Sequence, residues 1–497
     1  MKAFEPVEPM PYSQEEGALL KAFLNDVRGR IGLSLTHTGY MLGDHIAALR
    51  YYDQEGIPFQ EAMRRLDPVQ LGDFYLVERS DWYPLDHAAK IYPLSMSQKR
   101  MMVFRMSGYL KEPVVPEILQ MALTYTIKRF PYFATTLKSG FFWHYLDSTM
   151  RRFVVRPETK LPCSVMRVNA GASPTFRVIY YQNRVSVEFF HSLADGAGAN
   201  IFLRTLLREY LCLLGHKIPA EQGIFDVSKP PEPKEWRDDF TMGDRGEGAH
   251  GFADKRAVQL RGLPVYEKPA RVLHFNLSVA ALRAKAKEKN VTISALLLGY
   301  LMLACKEASA KGGGKRIKSR KKIQIQLPVN MRKYYPSETL RNFSMYCSIR
   351  LHPNEVTTLD AILPTIAEQM KEGTRKERLD ETMHLTRRLV RLLRFVPLMI
   401  KRPIAYFVYG NFSDEVFTTT FSNVGVIPVP PEMAPLLEKF DAVLGTPITN
   451  RACCGMCSFG DSAVLTVTKN TTLTLFEDAL YRLLCEDGLE PYVEGSD

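Results

Sequence analysis

Residues 187–200, Val-Glu-Phe-Phe-His-Ser-Leu-Ala-Asp-Gly-Ala-Gly-Ala-Asn, constrain the fold more than any other stretch of the chain. An apolar, aromatic run reads as a strand, it ends on His191, and the Asp195-Gly196 turn hands it to a helix. A strand that closes on a tight turn holds the backbone of its last residue, so His191 is presented from the end of a sheet. Histidine is also the side chain whose unperturbed pKa of about 6.5 suits proton removal near neutral pH, which makes His191 the candidate general base. Gly196, and Gly198 after it, permit conformations or close approaches that a side chain would block.

The remaining texture is strand then helix, twice. Residues 101–109 alternate as a strand, 114–129 read as a helix, and Phe130-Pro131-Tyr132-Phe133 breaks it. Short strands follow at 153–155, 175–181 and 184–190, the last two joined at Gln182-Asn183 as a hairpin, and a one-faced helix over 199–214 stops at Gly215. Residues 216–268, with Pro230-Pro231-Glu232-Pro233 and scattered glycines, have no period and read as a long crossover linker. Past it a strand covers 271–277, Ser278 caps one helix, and Thr292 opens another that runs to about Cys305. The organisation expected is a helical extension at 1–80, a first lobe at 81–215, the linker at 216–268 and a second lobe at 269–497.

In the extension, Ser13-Gln14-Glu15-Glu16 has the form of a capping box, and helices are expected from Leu19 through Val27, over 38–52 and over 58–66. His37, Asp44 and His45 lack further residues to complete a coordination set, so capping or solvated roles are expected.

With 46% hydrophobic and 24% charged residues over 497 positions, the chain can bury a large core. No apolar run of about 18 residues and no signal-peptide layout at the N-terminus are evident, so a cytoplasmic location is the expectation. Of eight cysteines, only Cys453, Cys454 and Cys457 cluster; without a second ligand pair they read as buried thiols on a strand, and no metal is expected. The formal charge of +11 attracts anionic partners. No helix-turn-helix, finger or RNA-binding signature accompanies it, which sets nucleic acid aside.

Five landmarks then occur in order: Arg129-Phe130-Pro131-Tyr132-Phe133, His191 to Gly196, Leu327-Pro328-Val329-Asn330-Met331-Arg332, Leu340-Arg341-Asn342-Phe343 and Phe421-Ser422-Asn423-Val424-Gly425. In order and separation they resemble the superfamily that unites chloramphenicol acetyltransferase, the plant BAHD acyltransferases, alcohol acetyltransferases and peptide-synthetase condensation domains. The resemblance runs from about residue 83 to the C-terminus and excludes the extension. It implies a two-lobed chloramphenicol acetyltransferase-like α/β fold, mixed sheets flanked by helices, with a tunnel between the lobes and His191 midway along it. It implies acyl transfer from acyl-coenzyme A, a co-substrate rather than a tightly bound cofactor, to a small-molecule or lipid acceptor carrying a hydroxyl or amine. An acyl carrier protein is the other donor it allows; Phe190, where condensation domains usually carry a second histidine, tilts the reading toward free-standing enzymes. A non-catalytic scaffold with the same fold is the alternative outside enzymes.

By the same resemblance, Asp195 is a structural partner of Arg332 from the other lobe, as a buried bidentate pair that locks the loop carrying His191. Ser422 or Asn423 on the polar strand 417–425 is the candidate oxyanion donor. A serine hydrolase is a poor fit, because Ser192 is not in a Gly-x-Ser-x-Gly elbow. Two basic stretches remain. Lys318, Arg320, Lys321 and Lys322 end a glycine-broken loop that either receives the phosphates of coenzyme A or an acidic carrier protein, or is merely solvated. Residues 387–402 form an amphipathic, basic, proline-interrupted segment that either packs on its own lobe or makes peripheral membrane contact.

Overall fold

The computed structural model describes residues 11–94, 96, 101–166, 174–243, 255–263, 265, 271–310, 321–408, 414–445 and 450–496. It opens with α1 (Gly17–Gly29), α2 (Leu35–Gln54) and α3 (Phe59–Arg65). The Glu16 carboxylate reaches back to the Ser13 amide at 3.1 Å, one half of the capping box, and a 3-10 turn over Gln14–Glu16 leads into α1. These helices are not a separate body. Leu20, Phe23, Val27, Leu49 and Tyr52 share one continuous core with the first lobe, and the Tyr52 and Tyr75 hydroxyls donate to the carbonyls of Leu213 and Thr124. Three helices of 13, 20 and 7 residues bury too little by themselves, so they close over the helices beneath. Asp44 meets Arg152 in a two-point ion pair at 2.5 Å, and the buried His45 ring lies 2.8 Å from the Met41 carbonyl, its pKa pushed down to about 4 by desolvation.

The first lobe follows in chain order with β1 (Trp82–Pro84), β2 (Val103–Leu110), α4 (Pro116–Ile127), β3 (Thr135–Ser139), β4 (His144–Ser148), β5 (Val155–Pro157), β6 (Phe176–Tyr181), β7 (Arg184–Phe190) and α5 (Gly196–Leu213). β1, β4 and β3 form a small antiparallel sheet. β2, β7, β6 and β5 form the main one; β6 and β7 are the expected hairpin, with Gln182 at φ +51° in the turn. Alternation gives this sheet two unlike faces. Phe176 and Phe189 stack at 5.8 Å and meet Phe202 of α5, while Arg105 of β2 and Glu188 of β7 are ion-paired and buried on the opposite face.

The second lobe contains β8 (Arg271–Ser278), α6 (Val279–Glu288), α7 (Ile293–Ala310), β9 (Ile323–Asn330), β10 (Ser344–Leu351), α8 (Leu359–Gly373), α9 (Lys376–Leu392), α10 (Leu398–Val408) and β11 (Thr419–Val426). It continues with β12 (Leu437–Leu444), β13 (Ala452–Phe459), β14 (Ser462–Lys469), α11 (Leu475–Glu486) and β15 (Tyr492–Ser496). Ser278 and Thr292 accept from the amides of Ala281 and Ala295, the two helix starts read from sequence. The sheet order is β10-β9-β11-β13-β14-β8-β15, with β11 parallel to both neighbours and the other pairs antiparallel. Cys453, Cys454 and Cys457 are buried on β13.

One strand departs from the division at residue 269. β12 leaves the second lobe and pairs antiparallel with β2, completing the first lobe's five-stranded sheet. It satisfies an edge that would otherwise expose a row of backbone donors and acceptors. The linker is also more structured than its composition suggests. Short 3-10 turns at Pro233–Trp236 and Asp239–Thr241 strap it to both lobes: Glu235 pairs with Arg129 through two hydrogen bonds of 2.5 and 2.6 Å, and Asp239 accepts from Ser337 at 2.5 Å.

Candidate active site

His191 follows the last residue of β7, and its amide donates to the Met102 carbonyl at 2.8 Å, which extends the β2–β7 ladder to the histidine itself. The ring is stacked on Tyr92 with centroids 4.7 Å apart and tilted against Phe104 at 5.0 Å. Across the lobe boundary, Nδ1 lies 3.0 Å from Asn342 Oδ1, while Asn342 Nδ2 donates to Asp86 Oδ2 at 3.2 Å. This order sets the tautomer. The ionised Asp86 carboxylate only accepts, so Asn342 turns its amide nitrogen toward it and its oxygen toward the histidine, which then donates from Nδ1. Nε2 is left with the lone pair a base requires. Desolvation pushes the His191 pKa below the ordinary histidine value, opposed by the ring's hydrogen bonds to its own backbone and to Asn342 and by the Asp195 charge. Burial, together with neighbouring Asp238, pushes Asp86 up to about 6.

Asp195 lies four residues on, at the N-cap position just before α5. Its Oδ1 accepts from the amides of Ala197 and Gly198 at 3.2 and 3.1 Å, capping the helix. Its Oδ2 accepts from Arg332 Nη1 at 2.7 Å and from the Phe343 amide at 2.9 Å. The expected bidentate pair is therefore corrected to a single hydrogen bond. One carboxylate oxygen is committed to the helix end, and the rest of the guanidinium is forked onto the Thr339 and Arg341 carbonyls. The loop 339–343 is thus clamped beside His191 from both sides. Gly198 explains how closely: a Cβ there would lie 2.1 Å from the Leu340 carbonyl oxygen. Gly196 requires a correction, because a Cβ at that position meets nothing within 4 Å and its backbone is not left-handed.

The other sequence candidates separate. Ser422 and Asn423 lie on β11, and no hydrogen bond or ring contact joins either to His191 among the described residues. The Asn423 amide donates to Ser294 Oγ at 3.0 Å and its oxygen accepts from the Gly425 amide at 2.8 Å, across a bulge where Gly425 has φ +88°. That carboxamide is spent at the start of α7, so its assignment as an oxyanion donor is corrected. The Ser422 hydroxyl, partly accessible, has no partner among the described residues. Lys318 and Arg320 lie outside the described residues; Lys321 is half-buried and Lys322 exposed, its carbonyl accepting from the Val258 amide. Asn342, Asp86 and Tyr92 were missed. Asn342 stood inside a landmark, but only tertiary contact couples it to the histidine.

No family model matches the chain, and no curated protein is similar to it in sequence. Solved structures do match. The chain is similar to trichothecene 15-O-acetyltransferase from Fusarium sporotrichioides, at TM-score 0.54 and 13% identity over 82% of this chain and 94% of that one. It is similar to a second F. sporotrichioides protein, complexed with coenzyme A and T-2, at TM-score 0.52 and 11% identity over 81% and 97%. It is also similar to the first condensation domain of the CDA synthetase, at TM-score 0.51 and 13% identity over 83% and 98%. The chain has the two-lobed fold that these three proteins share, the fold implied by the resemblance of its five landmarks.

Proposed function

We propose that the protein is an acyltransferase that moves an acyl group from acyl-coenzyme A to a hydroxyl or amine acceptor, with His191 as general base in a ternary complex. The observation that carries this is the Asp86–Asn342–His191 chain of hydrogen bonds, which directs Nδ1–H toward Asn342 and leaves Nε2 unprotonated. Nε2 takes the acceptor's proton as its oxygen or nitrogen attacks the thioester carbonyl. The tetrahedral intermediate collapses, the carbon–sulfur bond breaks, and the proton passes from His191 to the departing thiolate. No acyl-enzyme is needed, since Ser192 is fully buried and is not set up as a nucleophile. The Ser422 hydroxyl is the candidate donor to the oxyanion, an interaction worth about 2.7 to 4 kcal/mol where one has been removed. Asp195 and Arg332 hold the loop on each side rather than taking part in proton transfer.

Condensation-like transfer from an acyl carrier protein uses the same residues, and Phe190, fully buried, weighs against it where condensation domains usually carry a second histidine. The test is free-thiol release from a panel of acyl-coenzyme A donors, with His191→Ala as control. Release that falls by roughly a hundredfold or more in the variant supports the reading. No release together with no donor binding favours the carrier-protein donor or a scaffold.

A further inference from the structure

The surface around residues 387–402 takes no part in this chemistry. α9 ends at Leu392, Pro397 interrupts, and α10 restarts at Leu398. Along this join Leu392, Phe395 and Met399 are 71, 69 and 83% exposed, and Ile400 and Ile404, one turn apart on α10, are exposed as well. The β3–β4 hairpin contributes Phe141, 72% exposed. The two pieces form one surface. The Leu398 amide donates to the Phe141 carbonyl at 2.8 Å, the Phe142 and Phe395 rings meet edge-on at 6.3 Å, and the Lys401 ammonium lies 3.3 Å from the centre of the Trp143 ring. Single exposed apolar residues are ordinary, whereas a contiguous set marks a surface that meets something.

Its charge says what. Residues 387–402 contain six Lys and Arg and no Asp or Glu. Arg388, Arg391, Arg394 and Arg402 are exposed, and none has a carboxylate partner among the described residues. A second copy of this chain meeting the patch through a two-fold contact would set these arginines against each other. An anionic bilayer satisfies both properties at once, apolar side chains entering the acyl boundary and arginines meeting phosphates.

We propose that the face formed by Phe141, Leu392, Phe395, Met399 and Ile400, rimmed by Arg388, Arg391 and Arg394, docks on an anionic lipid bilayer. The 3-10 helix Ala89–Leu94 lies between this face and the histidine: Lys90 sits 5.9 Å from the Trp143 ring centre, and Tyr92 stacks on His191. Docking therefore brings the membrane to the side of the fold from which that helix is held. The inference does not depend on the acyl-transfer reading.

The experiment is flotation of the whole chain with phosphatidylcholine vesicles, with and without phosphatidylglycerol. The expected result is binding to the anionic vesicles alone, weakened by salt, and reduced by roughly tenfold or more in Phe395→Ser/Met399→Ser and in Arg391→Glu/Arg394→Glu. All four positions are exposed, so unchanged thermal unfolding verifies that the variants fold; Phe141→Ser on the separate hairpin is an independent third variant. Absence of binding to anionic vesicles, or binding that none of these variants reduces, overturns the proposal. So does a dimer in light scattering that Phe395→Ser/Met399→Ser dissolves while vesicles are not bound, which would assign the face to a second copy.

Discussion

Replacing Asp195 by alanine removes one carboxylate that makes four hydrogen bonds, two into α5 and two across the lobe boundary. Loss of the helix cap costs about 1 kcal/mol. The Phe343 amide, buried, would lack an acceptor, a penalty of about 1–3 kcal/mol. Arg332 keeps the carbonyls of Thr339 and Arg341 and its side chain is 14% exposed, so it loses one charge-assisted bond of about 1.5–3 kcal/mol rather than being wholly stranded. These losses share an atom group and relax together, which places the total at about 3–5 kcal/mol rather than at their sum. Asp195→Asn retains the cap and should lose roughly half as much. Denaturant unfolding followed by tryptophan fluorescence reports the relevant region, because Trp82, Trp143 and Trp236 lie in the first lobe or its strap. His191→Ala loses only the ring contacts and one hydrogen bond, about 1–2 kcal/mol. If Asp195→Ala proves no less stable than His191→Ala while turnover collapses, the clamp is refuted and Asp195 belongs to the chemistry.

Three further outcomes are expected. Asn342→Leu removes a hydrogen bond that raises the His191 pKa, so the acid limb of kcat/KM should move to lower pH; kcat should fall by up to roughly a hundredfold with the donor KM unchanged, and an unshifted limb would remove Asn342 from the site. Asp86 binds its proton more tightly in the fold than unfolded, so it subtracts stability as pH rises from about 4 to about 6, and chemical denaturation of Asp86→Asn across that window should show a flatter slope than the parent protein. Gly198→Ala drives a Cβ into the Leu340 carbonyl and should cost about 1–3 kcal/mol, whereas Gly196→Ala, with open space around it, should stay within about 0.5 kcal/mol; equal thermal unfolding midpoints for the two would contradict the packing.

The legible parts of the fold are those whose causes lie within a few residues. The hairpin at Gln182-Asn183, the strand-turn-helix that presents His191, the caps at Ser278 and Thr292, and the buried thiols of β13 follow from period, turn chemistry and composition. The five landmarks together carried the two-lobed fold, although each is short, because their order restricts the topology more than any one motif does.

Tertiary structure decided the rest, wherever one group had several partners to choose among. Asp195 has two oxygens, and only the docking of loop 339–343 directs one to Arg332 and the Phe343 amide while the other caps α5. Asn423 has the side chain of an oxyanion donor, but the approach of α7 consumes it. β12 reads like any strand of the second lobe, and the open edge of β2 claims it for the first. His191 itself was evident from residues 187–196. Its tautomer was not, because the proton on Nδ1 is held there by Asn342, 151 residues after it and from the other lobe, which is oriented in turn by Asp86, 105 residues before it; the three come together only where the lobes pack.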